Sequence, residues 1–140
     1  MPFVQPYVFF DGKCDEAIKF YTSALGAKTQ SLMRYKDCPD PQAKAGCKPD
    51  TEDKVMHANI KIRDTEVLMA DGHCGGNPKF EGFGLALQAK DNEDAEKLFA
   101  ALSEGGNPLM PMSETFFAHR FGMVADKFGV MWMVLHAKAM

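Results

Sequence analysis

The sequence predicts an α+β fold made of two βαβββ modules, with eight strands and two helices in all. Three observations carry this prediction. A strand-like segment precedes an amphipathic helix twice along the chain, and strand-like segments follow each helix. The two helices also share a pattern of acidic, alanine, lysine and aromatic positions, because Glu16–Tyr21 matches Asp94–Phe99. Such self-similarity indicates a duplicated unit.

The first module opens with Phe3–Phe10, an aromatic and β-branched segment that predicts a strand ending at the turn pair Asp11-Gly12. Apolar residues then recur at helical spacing, with Gly26 placed as a C-terminal cap; they are Ala17, Phe20, Tyr21 and Ala24. After a mixed apolar and polar segment, Ala27–Tyr35, the stretch Lys36–Asp53 is rich in Pro, Asp, Lys and Gly. It has no periodicity and predicts a long surface loop.

Alternating residues then predict a hairpin of two strands, Val55–Ile62 and Glu66–Ala70, joined at Arg63-Asp64. A glycine-rich linker, His73–Pro78, separates this hairpin from the second module. His73 and Cys74 are adjacent and do not make a metal site by themselves, so both are interpreted as loop residues.

The second module repeats the order with a strand at Phe83–Ala89 and a helix capped by Asp91 or Asn92 and ended by Gly105-Gly106. The apolar stripe of that helix is Ala95, Leu98, Phe99 and Leu102. Three strands are expected after it, the last two joined by a turn at Asp126–Gly129; they are Pro108–Met112, Arg120–Ala125 and Val130–Leu135.

Length and composition predict one domain spanning residues 1–140, with modules at approximately 1–72 and 80–140. A net charge of −3 from 16 basic and 19 acidic side chains disfavours nucleic acid as a partner. No apolar run is long enough to cross a bilayer and the first residues do not resemble a leader, so we expect a cytoplasmic protein without membrane contact. The spacing of the four cysteines matches no redox or zinc motif, so we predict that all are free thiols; they are Cys14, Cys38, Cys47 and Cys74.

Several segments resemble the PhnB-like family of the vicinal oxygen chelate superfamily, which includes glyoxalases, bleomycin-resistance proteins and extradiol dioxygenases. The resemblance covers nearly the whole chain; its main segments are Gln5–Gly12, Ala17–Tyr21, Leu25–Ala27, Lys54–Ala58 and, most specifically, Glu114–Val134. It implies a U-shaped eight-stranded mixed sheet around a cleft, and a homodimer. A cleft between repeated modules is a usual place for a small-molecule site.

The resemblance also implies where a divalent metal would be held, on the first and last strand of each half. By spacing, those positions fall at Gln5, Met69, Gly84 and Met133. None is His, Asp or Glu, and the residues one position to either side are equally poor ligands for hard ions or zinc. We therefore predict no metal and no other cofactor.

Two polar residues are candidates for ligand binding. His57 lies between apolar residues of a predicted strand and is a candidate acid, base or hydrogen-bond donor, or else a packed histidine satisfied by backbone. Arg120 is a candidate contact for a carboxylate or phosphonate, or else the partner of Glu114 or Asp126 in an ion pair.

The remaining candidates combine apolar and polar character. Glu114 and Phe117 belong to a segment, Glu114–Phe117, that is a candidate edge of the cleft, although aromatic density is more typical of a core. Trp132 and Met133 are candidates for an apolar pocket lining or for core packing. Gln5 and Met69 complete the set of predicted binding residues. Cys14 opens the first helix and is interpreted as structural rather than reactive.

Two functions remain open on these residues. The first is a metal-independent protein that binds or sequesters a small, partly apolar or anionic molecule. The second is a metal-dependent lyase, isomerase, dioxygenase or thiol transferase of the same superfamily. Relatives of this kind have also been labelled ubiquinone-type methyltransferases, but the sequence has no glycine-rich strand–turn–helix motif for an adenosyl cofactor. Beyond a second copy of the chain, no protein partner is indicated.

Overall fold

The computed structural model describes residues 4–37, 52–71 and 80–138. The chain divides into two compact units, Met1–Pro78 and Lys79–Met140. The predicted linker at 73–78 and most of the predicted loop at 36–53 lie outside the described residues, as do Cys38, Cys47 and Cys74.

The N-terminal unit contains a four-stranded sheet in the order β1-β4-β3-β2. β1 and β4 run parallel, and the other neighbouring pairs are antiparallel. The elements are β1 (Tyr7–Phe9), α1 (Cys14–Leu25), β2 (Lys28–Arg34), a short 3-10 helix (Tyr35–Asp37), β3 (Val55–Ile62) and β4 (Thr65–Ala70).

The C-terminal unit repeats this arrangement with the strand order β5-β8-β7-β6, in which only β5 and β8 are parallel. Its elements are β5 (Leu85–Gln88), α2 (Asn92–Ser103), β6 (Asn107–Ser113), β7 (Ala118–Ala125) and β8 (Met131–Ala137). The described residues therefore confirm the α+β fold and the two βαβββ modules.

The first helix ends as predicted but buries a different face. Gly26 caps α1 in the left-handed conformation with a φ of 69°, which glycine adopts without steric cost. The buried residues of α1 are Cys14, Ala17, Ile18, Tyr21 and Leu25. Phe20 and Ala24, which the spacing placed in the stripe, are only partly buried, because the core side of the helix is centred nearer Ile18.

The second helix confirms one of the two predicted N-caps. Asp91 has an extended backbone, and its Oδ1 accepts a hydrogen bond of 2.7 Å from the Asp94 backbone N–H. This satisfies one of the unpaired amides of the first turn. The helix ends at Ser103, two residues before the predicted glycine pair.

Each sheet has one face toward its own helix, called the helix face, and an opposite face, called the far face. In the N-terminal sheet the buried side chains alternate along the strands and include Val8, Ala58, Ile60, Val67 and Met69. In the C-terminal sheet the helix face includes Leu87, Val124, Trp132 and Val134. Gly122 lies under α2, where an added Cβ would be 2.9 Å from Phe99 Cε2. These faces are the cores of the two units.

Two buried aspartates fix the ends of strands, and neither role was predicted. Asp71 is 0 % exposed and follows β4. Its Oδ1 accepts from the backbone N–H groups of Gly12 (2.9 Å) and Cys14 (2.8 Å), and its Oδ2 accepts from Val55 N–H (2.7 Å). The carboxylate therefore ties the start of α1 to the start of β3.

Asp126 has the corresponding role in the C-terminal unit, at the predicted turn between β7 and β8. Its Oδ1 accepts from the backbone N–H groups of Phe128 (2.9 Å) and Val130 (3.1 Å). Its Oδ2 accepts from Trp132 Nε1 at 2.9 Å. Each unit thus places one carboxylate on three N–H donors.

Candidate functional site

The far face of the N-terminal sheet carries exposed aromatic side chains. Tyr7 and Phe9 alternate with buried Val8 along β1, so both rings lie on this face. Their ring centroids are 4.7 Å apart with an interplanar angle of 11°, and they are 42 % and 49 % exposed. Stacked rings of this size at a surface provide a flat apolar contact area.

His57 lies beside these rings in β3. Its Nδ1 is 3.0 Å from the Tyr7 hydroxyl, and the two ring centroids are 5.8 Å apart. The predicted alternative, a histidine satisfied by backbone, is thus replaced by a tyrosine partner. In either tautomer, Nε2 has no hydrogen-bond partner in the described part of the chain, so it remains available to a ligand. Partial burial also raises the pKa of Tyr7, which keeps the phenol protonated.

Asn59 follows two residues later on the same face, since β-strand side chains alternate. Its Nδ2 is 3.4 Å from Glu66 Oε1. Its Oδ1 is buried and has no partner among the described residues. Because an unpaired buried acceptor costs about 1–3 kcal/mol, a ligand donor placed there would be favoured. We call Tyr7, Phe9, His57 and Asn59 the aromatic surface.

The far face of the C-terminal sheet is apolar and rich in methionine. Met110, Met123 and Met133 are cross-strand neighbours on β6, β7 and β8, and we call them the methionine row. Gly84 is on the same side, because an added Cβ would be 3.5 Å from Met133 Cε. Methionine adapts to irregular apolar shapes, so this face suits an apolar contact.

Two predicted binding residues lie in the cores instead. Met69 is 1 % exposed on the helix face of the N-terminal sheet, and Trp132 is buried on the helix face of the C-terminal sheet with its indole N–H on Asp126. This placement favours the packing role for both. Gln5 donates from Nε2 to the Glu66 backbone carbonyl at 3.1 Å.

The predicted anion contact Arg120 has a partner that was not foreseen. Its Nε is 3.2 Å from Glu96 Oε1 of α2, without hydrogen-bond geometry. Glu114 instead pairs with Lys138 at 2.8 Å, which lowers the pKa of its carboxyl group. Asp126 is occupied by the three donors described above. Arg120 therefore lies on the α2 side of the sheet, away from the methionine row.

Phe117 belongs to an aromatic chain near the start of β7. Its ring contacts those of Phe116 and Phe121 edge-on, at centroid distances of 5.1 and 5.2 Å. The backbone is held by Thr115, whose Oγ1 accepts from Ala118 N–H at 3.0 Å. Phe116 is largely exposed and Phe117 is half-buried, so these two rings are not enclosed in a core, and the place of the segment at a cleft edge stays a prediction.

The residues at the metal positions implied by the superfamily do not fit a divalent ion. Gln5 is engaged with backbone, Met69 is enclosed in a core, Gly84 has no side chain and Met133 offers a soft thioether. Among residues 4–37, 52–71 and 80–138, no group of three or more His, Cys, Asp or Glu side chains could hold a metal.

The N-termini of the two helices are occupied by the chain's own carboxylates. Asp71 accepts from the amides of Gly12 and Cys14 at the start of α1. Asp91 accepts from the Asp94 amide in the first turn of α2, and Asp94 accepts from the Lys90 amide just before that helix. Dinucleotide and adenosyl cofactors are typically held where a glycine-rich turn leaves such amides free. Neither strand–turn–helix junction offers that arrangement.

Cys14 is fully buried at the N-terminus of α1 and makes no disulfide. A helix N-terminus alone would lower the thiol pKa. Burial dominates here, and together with the nearby carboxylates of Asp71 and Asp15 it raises the pKa of Cys14 well above the ordinary value. The structural interpretation of this thiol is therefore favoured.

Sequence reasoning did not single out Tyr7, Phe9 or Asn59. The signal was present in the alternation of β1 and β3, where polar or aromatic residues flank buried apolar ones. Without strand register, however, alternation does not show which side of the sheet a residue occupies.

The paired modules define the class of protein as an α+β fold of two βαβββ units, which is the fold of glyoxalase, bleomycin-resistance and dioxygenase proteins. A glyoxylase/bleomycin resistance protein/dioxygenase domain from Frankia sp. EAN1pec has the same fold, with a TM-score of 0.67 and 16 % identity over 99 % of this chain and 97 % of that one. At that identity the likeness concerns the fold alone.

Within this class, residues 3–135 match the family described as 3-demethylubiquinone-9 3-methyltransferase, and the chain belongs to that PhnB-like family. Protein YjdN of Escherichia coli K12 is 34 % identical over 94 % of this chain and 92 % of its own length.

Two solved structures are also similar. Protein PA1353 from Pseudomonas aeruginosa has a TM-score of 0.83 and 34 % identity, covering 97 % of this chain and 98 % of that one. A putative 3-demethylubiquinone-9 3-methyltransferase, PhnB protein, from Bacillus cereus has a TM-score of 0.77 and 26 % identity, covering 97 % and 100 %. A shared fold does not by itself transfer an activity.

No helix in the described ranges has both the length and the apolar character needed to span a membrane.

Proposed function

We propose that this protein binds a small, partly apolar molecule at the far face of its N-terminal sheet, without the metal that the superfamily resemblance implies. The observation that carries the proposal is the aromatic surface. It combines stacked, exposed rings of Tyr7 and Phe9 with two hydrogen-bonding positions, His57 Nε2 and Asn59 Oδ1, that have no partner in the described residues.

The chemistry of these groups selects the ligand. Flat rings favour an aromatic or otherwise planar molecule, since stacking is strongest between extended π surfaces. Asn59 Oδ1 requires a donor, so the ligand carries an N–H or O–H group. The methionine row of the C-terminal unit is a separate apolar surface, which tolerates ligands of different shape. Of the two predicted ligand types, this favours the partly apolar one, because Arg120 lies next to Glu96.

The donor set at the implied metal positions does not favour the metal-dependent alternative. The methyltransferase description of the family is likewise not carried over, because both helix N-termini are filled by carboxylates. We keep the predictions of a single domain, a homodimer and a cytoplasmic location as parts of the same proposal.

The ligand class is tested with a matched pair of probes, benzamide and methyl benzoate, observed by saturation-transfer NMR. Both present a benzene ring, but only benzamide carries N–H donors. We expect benzamide to bind about tenfold more tightly, a difference of about 1.4 kcal/mol that is typical of one satisfied buried acceptor. Asn59→Leu should abolish the preference while leaving methyl benzoate binding unchanged.

The location is tested with Phe9→Ala and a matched control, Phe83→Ala, because the two side chains are 49 % and 48 % exposed. Phe9→Ala should weaken both probes, whereas Phe83→Ala should weaken neither. Equal effects of the two variants, or equal affinity for the two probes, would overturn the proposal.

The metal-free part of the proposal is tested separately by elemental analysis of the purified protein and by thermal shift with divalent metals. We expect no stoichiometric metal and no large stabilisation. A bound metal raises the melting temperature, and the rise is larger for tighter binding. A stoichiometric ion with strong stabilisation would therefore support the metal-dependent enzymatic alternative.

A further inference from the structure

A basic concavity lies at the end of the N-terminal sheet where α1 passes into β2. Its volume is about 590 Å³. It is lined by Leu25, Gly26, Lys28, Gln30, Lys61, Arg63 and Asp64. Three of the four charged residues in this lining are cationic. None of them belongs to the aromatic surface or to the methionine row.

The two lysines stand directly opposite each other on adjacent strands. Lys28 on β2 pairs in register with Lys61 on β3, so their side chains leave the sheet on the same side. Like charges in that position repel and destabilise the strand pair. In the described part of the chain, neither ammonium group makes an ion pair or a hydrogen bond. Glu66, which is opposite Lys61 on β4, is turned toward Asn59.

Arg63 adds a third cation at a position that disfavours it. It occupies the β3–β4 turn with a φ of 56°. Glycine, asparagine and aspartate are the residues that usually tolerate this left-handed conformation, and other side chains pay a steric cost. Strain of this kind often accompanies a functional requirement on the side chain. An arginine here brings a guanidinium group to the wall of the concavity.

From these features we propose that the concavity is a binding site for a small free oxyanion of the phosphate type. A doubly charged tetrahedral anion would relieve the repulsion between Lys28 and Lys61 and would accept charge-assisted hydrogen bonds from both. The volume is within the range of small-molecule pockets, which favours a phosphate-bearing small molecule over an extended polyanion. The lining has one acidic residue, Asp64, against three cationic ones, so it keeps an excess of positive charge.

Inorganic phosphate is the probe, titrated into the ¹⁵N-labelled full chain at constant ionic strength, with acetate as the singly charged comparison. We expect amide shifts in residues 25–30 and 61–64 and little response to acetate. Lys28→Gln and Lys61→Gln should each weaken phosphate binding about tenfold. The control is Lys19→Gln, which removes one exposed lysine of α1 and should bind phosphate like the original protein.

A second measurement guards against misfolded variants. Without phosphate, Lys28→Gln should keep or raise the melting temperature, because it removes a repulsion, and phosphate should then stabilise it less than the original protein. Shifts elsewhere in the chain, equal responses to acetate and phosphate, or unchanged affinity in both variants would overturn the proposal. The protein is also sedimented with vesicles of phosphatidylcholine and phosphatidic acid. Binding to these vesicles without a response to free phosphate would assign the site to a lipid headgroup and would also overturn the proposal.

Discussion

Replacing Asp71 with asparagine should destabilise the N-terminal unit far more than the small change in side-chain volume suggests. The buried carboxylate accepts from three backbone N–H groups, those of Gly12, Cys14 and Val55, at 2.9, 2.8 and 2.7 Å. An asparagine carbonyl can still serve the two donors that share Oδ1. Its NH₂ group, however, then meets the Val55 N–H, so two donors face each other without an acceptor.

The magnitude follows from the contacts that are lost. A hydrogen bond to a charged acceptor contributes about 1.5–3 kcal/mol, and a buried donor left unpaired costs about 1–3 kcal/mol. Because these terms overlap, we expect the free energy of unfolding to fall by about 2–4 kcal/mol. That is a large part of the 5–15 kcal/mol that typically separates folded from unfolded domains.

Urea denaturation followed by far-UV circular dichroism provides the measurement, with the midpoint compared at unchanged m-value. The matched control is Asp91→Asn, because Asp91 caps α2 with one oxygen and asparagine is an equally good N-cap. The control should lose less than about 1 kcal/mol, mainly through the helix dipole. A loss of less than about 0.5 kcal/mol in Asp71→Asn would refute the argument that the carboxylate holds α1 and β3 together.

Three further outcomes are expected. Burial raises the pKa of Cys14 in the folded protein, so on raising the pH the thiol ionises in the unfolded chain before it ionises in the folded one. The protonated thiol therefore contributes its full stability below about pH 8.5, and this contribution is lost as the pH rises further. The free energy of unfolding should therefore fall less steeply above that pH in Cys14→Ala, and identical pH profiles would contradict this. Gly106→Ala should cost about 1–3 kcal/mol in chemical denaturation, because its Cβ would overlap the Ala125 carbonyl oxygen and lie 3.0 Å from the backbone of Asp126. Gly84→Ala should cost less, because its Cβ would lie 3.0 Å from the flexible Met131 Cε and 3.1 Å from the Met131 backbone oxygen, without such an overlap. Equal losses would argue against a rigid contact. Calorimetric titration with S-adenosylmethionine should give no binding heat, since both helix N-termini are filled, and micromolar binding would contradict that reasoning.

Most of the secondary structure was predictable because it depends on local patterns. The hairpin of β3 and β4 and its turn at Arg63-Asp64 follow from alternation, and Gly26 ends α1 as its position indicated. The mixed segment Ala27–Tyr35 was harder to interpret, because β2 is an edge strand exposed along nearly its whole length. An edge strand lacks the apolar alternation that identifies a half-buried one.

The candidate site was less predictable because it depends on register. Spacing placed Met69 among the inward positions, but Met69 pairs with Val8 and Ala58 on the helix face. A shift of one residue exchanges the two faces of a strand. The neighbouring pair Tyr7 and Leu68 is the one on the far face. Asp71 escaped detection for another reason: its donors at the start of α1 are 57 and 59 residues away in the chain.

The parallel pairing of the first and last strand in each unit affects the order in which the two sheets form while the chain is being translated. β1 can pair with β4 only after residues 65–70 have left the ribosome, and β5 must wait in the same way for β8. Until then β1 has no neighbour in its own unit, and its apolar residues remain uncovered. Non-local closure of this kind slows folding. The N-terminal unit can close while the C-terminal unit is still being translated, so the two modules are expected to acquire their structure one after the other.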